Sequence, residues 1–145
     1  MNRGLPSVLV AVTYGALIIG SWGVASLVLD QDVIHYSDAG PLLGPAMALC
    51  AMAVTFGWVV RVRKRGGIAM CAVGAAASTW LVMIAVGAVG YTITRGVLAW
   101  LLLFTGDYAA SAFVIAPAIL AGLVVFAAGA FSPRAKPFAA PSDGD

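Results

Sequence analysis

Hydrophobic positions in this chain come in long uninterrupted runs rather than in the three-and-four spacing of a soluble helix or the alternation of a half-buried strand. Ser7 to Leu29 carries no charge, nor does Pro41 to Val60, and Ile68 to Tyr91 is uncharged as well. Each is long enough to cross a hydrocarbon layer about 30 Å thick as a helix. A fourth run is too long: the 36 residues from Gly96 to Phe131 hold a single charge, Asp107. One straight helix of that length would measure about 54 Å, so the run must break. Thr105-Gly106-Asp107 is the expected place, with aspartate as an N-cap for a helix that starts at Tyr108 or Ala109. The pattern predicts spans over about 7–29, 41–60, 68–91 and 109–131. The remaining segment, about 97–104, is expected as a short interfacial helix, lying in the membrane surface or dipping slightly into it.

Composition narrows the class. With 62% hydrophobic and 10% charged residues, the chain has too little polar surface to coat a soluble globule, whose charged fraction is about a quarter. The fold class is therefore an all-α membrane protein, four transmembrane helices in an antiparallel bundle with the interfacial helix between the third and fourth. Residues 1–131 form that domain, and 132–145, with three prolines, read as a disordered cytoplasmic tail. Cleavage of the first run as a signal peptide is disfavoured, because its apolar region continues past Gly23-Val24-Ala25 to Leu29.

Charge sets the expected orientation. Arg61, Arg63, Lys64 and Arg65 sit together between the second and third runs and read as a cytoplasmic hairpin loop. Arg3, Arg134 and Lys136 fall on the same side, against Arg95 on the other. Basic loops stay inside, so both termini are expected in the cytoplasm. The same four bases are candidate contacts for anionic lipid headgroups. Trp58 beside them fits the interfacial preference of tryptophan. Nucleic acid is not an expected partner.

Small residues recur at helical spacing on every span, as in helices that approach closely in lipid. Thr13, Ala16, Gly20 and Gly23 form such a face on the first. Gly44, Ala48, Ala51 and Thr55 do so on the second, Cys71, Gly74, Ser78 and Ala85 on the third, and Ser111, Ala118, Gly122 and Gly129 on the fourth. The hydroxyls of Ser78 and Thr79 can bond back to their own helix. Pro117 should kink the last span. Cys50 and Cys71 fall at different depths, which argues against a disulfide.

Materials for catalysis are sparse. There is no glutamate, one histidine and one asparagine, Asn2. Neither a nucleophile with its base nor a pair of aspartates at one depth can be assembled, so no enzyme and no cofactor are expected. Asp30, Asp32, His35 and Asp38 share the first outer loop and are weak candidates for a metal, although their spacing matches no motif and a solvated loop explains them. Asp107 is the possible functional acid, since an ionisable group within a membrane is costly and usually functional. Four helices rich in packing faces suggest a non-catalytic accessory or assembly subunit of a larger membrane complex, whose partners are the lipid bilayer and other subunits or itself. A small oligomeric transporter or channel using Asp107 is the alternative.

The Ala-, Gly- and Val-rich spans, the preference for arginine over lysine, and the stretch Thr105-Gly106-Asp107-Tyr108-Ala109-Ala110-Ser111 look like the small uncharacterised four-pass membrane proteins of actinobacteria. That resemblance implies a bacterial inner-membrane address, and neither an activity nor site residues.

Overall fold

A computed structural model describes residues 5–30, 42–65, 67–97 and 99–131. Within them helix is the only regular structure: α1 (Leu5–Leu29), α2 (Leu43–Arg65), α3 (Ile68–Arg95), α4 (Ala99–Ala109) and α5 (Ala112–Ala130). Four of these, all but α4, are long and apolar enough to cross a membrane, and α4 is the short helix expected between the third and fourth. The predicted tail and most of the first outer loop, including Asp32, His35 and Asp38, lie outside the described residues.

Two boundaries differ from expectation for clear reasons. The basic stretch is not a loop: α2 runs on through Arg65, because arginine and lysine are good helix formers. The chain turns only after it, where Gly67 takes φ 68°, a left-handed conformation that costs glycine nothing. The long fourth run breaks later than Thr105-Gly106-Asp107. Those three residues lie inside α4, and α5 begins after Ser111, whose side chain accepts a hydrogen bond from the Phe113 N–H. Serine at this position has its own helix-capping oxygen on a short side chain, so Ser111, rather than Asp107, is the N-cap.

The core is built where large side chains fill the spaces left by small ones. The Trp58 ring of α2 lies on Gly74 of α3, and its indole N–H donates to Ser78 Oγ at 2.8 Å. The expected Gly74-Ser78 step thus receives one side chain from α2, and Trp58 is a packing residue as much as an interfacial one. Phe104 of α4 lies on Gly87. Gly122 of α5 comes close to the backbone of Ala72 and to Ala76, which brings α5 and α3 together. On α2 the expected face is turned inward, with Ala51 and Thr55 fully buried. On α1 it is not: Thr13, Ala16, Gly20 and Gly23 are exposed, whereas Ser7, Ala11, Tyr14 and Ile18 face the bundle. Tyrosine and isoleucine supply more contact area there than the small stripe could. Neither cysteine forms a disulfide.

Candidate functional site

With α3 as a ruler, the depth of every polar group can be read from its neighbours. The α4 helix starts near the Arg95 end of α3 and follows it inward: the Phe104 ring lies 5.7 Å from that of Tyr91 and stacks on Tyr108 at 4.3 Å. The Trp80 indole N–H then donates to the Ala109 carbonyl at 2.9 Å. The α5 helix continues in the same direction, Gly122 against Ala72 and Ala76, and Gly129 against Ile68 and Val62. At 1.5 Å per residue, α3 is about 42 Å long and Trp80 stands roughly 18 Å from its Ile68 end. The break between α4 and α5 therefore falls near the middle of the bundle. The short helix, expected to lie at the interface or to dip slightly into it, follows α3 as far as Trp80.

The proline inside α5 frees one backbone carbonyl, and α1 takes it. Pro117 has no N–H, so the carbonyl of Phe113 loses its usual helical partner; the indole N–H of Trp22 donates to it at 2.8 Å. One turn on, the Tyr14 hydroxyl, fully buried, donates to the Pro117 carbonyl at 2.9 Å. The Trp22 donor explains why a proline is tolerated inside α5 in an apolar interior: the freed Phe113 carbonyl has a partner from a neighbouring helix, and the Pro117 carbonyl receives a second donor. The sequence shows the proline but not the donors, because residues 14 and 22 lie about a hundred positions from their partners.

Two more hydroxyls share this layer. Thr55 of α2 and Thr79 of α3 are fully buried beside Tyr14, yet neither Oγ1 has a hydrogen-bond partner of proper geometry. Other hydroxyls on these helices bond back to their own backbone, Thr13 to the Leu9 carbonyl, Thr105 to that of Leu101 and Ser78 to that of Gly74. The back-bonding expected of Ser78 is found, and that expected of Thr79 is not.

Asp107 projects elsewhere. It is exposed on the outer face of α4, two residues before Ala109 and so close to the mid-length of α3. Ala99, Leu102, Leu103, Gly106 and Ala110 are exposed with it and form one stripe along the helix. Of the other candidate residues, Asp30 is exposed in a left-handed turn at the end of α1, with φ 49°. No group of three metal-ligating side chains forms among the described residues. Arg61 and Lys64 are exposed, with the Arg61 guanidinium 5.3 Å from the Trp58 ring, a distance at which cation and ring attract. Arg63 is half-buried, and its Nε has no hydrogen-bond partner. Arg65 ends α2.

Four long apolar helices, with the last preceded at its N-terminal end by a short one, define a multi-pass helical membrane protein. The chain belongs to a family of unknown function (DUF6121), whose profile matches residues 5–142. Comparison with curated proteins found no match, and comparison with solved structures found none either.

Proposed function

We propose that this protein is a non-catalytic accessory or assembly subunit of a larger membrane complex, docked to its partner through the outer stripe of α4. The observation that supports this reading is the direction of Asp107, on the outside of the bundle and near its mid-length. A carboxyl group in a hydrocarbon layer is costly and usually functional, and a carboxylate has several acceptor sites, so a donor from a partner helix can bond to it across an interface. Gly106 and Ala110 on the same stripe leave room for a second backbone to come close. The address belongs to the proposal: a bacterial inner membrane, both termini cytoplasmic, on the strength of seven bases against one. Affinity capture from native membranes in mild detergent tests it. A partner recovered in fixed stoichiometry with the wild type, and lost with Asp107→Asn and Gly106→Leu, is the expected result; equal recovery with both variants counts against the α4 stripe.

A second reading, a small oligomeric transporter or channel, is favoured by one observation: a span broken near mid-length beside the partnerless hydroxyls of Thr55 and Thr79. Discontinuous helices line substrate sites in many transporters. Ion or solute flux in proteoliposomes that contain only this chain, abolished by Asp107→Asn, would support it over the accessory role.

A further inference from the structure

Apart from α4, the outer surface carries a second feature that combines shape with charge. Ala53, Val54, Gly57, Trp58, Val60, Arg61 and Lys64 line a shallow, open groove of about 490 Å³ along α2. Its polar end is Arg61 and Lys64, one turn apart, and its apolar end is Ala53. Gly57 forms the floor between them, with nothing within 4 Å of the position a Cβ would take. Trp58, fixed over Gly74 and bonded to Ser78, forms a wall and holds the Arg61 guanidinium against its ring. From Ala53 to Lys64 the groove spans eleven helical steps, roughly 16 Å, which is about half the thickness of a hydrocarbon core. It has the length of one leaflet, positive at the headgroup end and apolar below.

We infer that this groove binds an anionic phospholipid, with its phosphate on Arg61 and Lys64 and one acyl chain laid over Gly57 towards Ala53. Charge complementarity selects an anion at the polar end, and the depth of the apolar end selects a lipid over a soluble phosphate. A merely basic helix end would attract anionic headgroups diffusely. The groove predicts more, namely that the acyl path matters as well as the charge.

Native mass spectrometry of the full chain in detergent tests this, with phosphatidylglycerol and phosphatidylcholine of identical acyl chains as probes. The wild type should retain phosphatidylglycerol preferentially, and Arg61→Gln with Lys64→Gln should weaken that retention roughly five-fold per base removed. Gly57→Leu keeps both bases, points into open space and improves helix propensity, so it should fold; it should lose retention by blocking the acyl path. Retention unchanged in Gly57→Leu would overturn the proposal in favour of diffuse attraction. Displacement of the lipid by millimolar inorganic phosphate would overturn it in favour of a soluble anion. A dimer of the wild type that Gly57→Leu dissociates would overturn it by making a second copy the occupant.

Discussion

At the scale of single residues, the polar groups in the middle of the bundle divide into those with partners and those without, and the division predicts opposite signs for similar substitutions. Tyr14→Phe removes a second donor from the Pro117 carbonyl, which keeps its partner within α5, and should destabilise by about 1 kcal/mol, the net worth of a typical hydrogen bond, whereas a stranded acceptor costs more. Trp22→Phe strands the Phe113 carbonyl and should cost about 1–3 kcal/mol for the same reason. Thr79→Val should do the reverse. Its Oγ1 is buried without a partner, and valine replaces that oxygen with a methyl of nearly the same shape, relieving a desolvation cost of about 1–3 kcal/mol. Reversible unfolding in mixed micelles measures all three. Loss of stability in Thr79→Val would show that the hydroxyl is engaged, by the Tyr14 hydroxyl beside it or by water.

Among elements, the α3–α5 contact is set by close approach at Gly122, while Gly20 of α1 lies in open space with nothing within 4 Å of a Cβ. Gly122→Leu should therefore destabilise by about 1–3 kcal/mol as an overpacked contact, and Gly20→Leu should be close to neutral in the same unfolding assay. Sequence spacing alone treats these two glycines alike, since both recur on a small-residue face. It identifies helices that can pack closely but not which face meets a neighbour: on α2 the small stripe is the inner one, and on α1 Tyr14 and Ile18 take that place. The four long helices were legible because runs of some twenty apolar residues have few alternatives. The end of α2 was not, because arginine is both a topology signal and a good helix former, and charge alone does not distinguish a loop from a helix end. The break in the last run was foreseen from length but misplaced. Glycine and aspartate are tolerated near a helix end, and Ser111 four residues later is an equally good cap.

For the whole molecule, the decisive quantity is the depth of Asp107 in a bilayer, because both proposed functions depend on a carboxyl group near the middle of the bundle. The two ends of the membrane-facing surface are marked by charge, Arg61 and Lys64 at one and Arg95 at the other. The helices between them are apolar over a length that a hydrocarbon core of about 30 Å would fill. On the α3 ruler, Asp107 lies within a turn of the Ala109 carbonyl that bonds to Trp80, some way from either charged end. In a Cys50→Ser, Cys71→Ser background, single cysteines at 95, 97, 107 and 110 should react with a membrane-impermeant maleimide in two classes: rapidly at 95 and 97, and slowly or not at all at 107 and 110. Detergent should abolish the difference at 107 and 110, since both side chains are exposed on the bundle and only lipid or a partner protein would shield them. Protection that persists in detergent together with a captured partner would favour docking on α4. Rapid labelling at 107 in intact membranes would put the carboxyl in water, and an acid in water needs neither a partner helix nor a solute pathway to account for it.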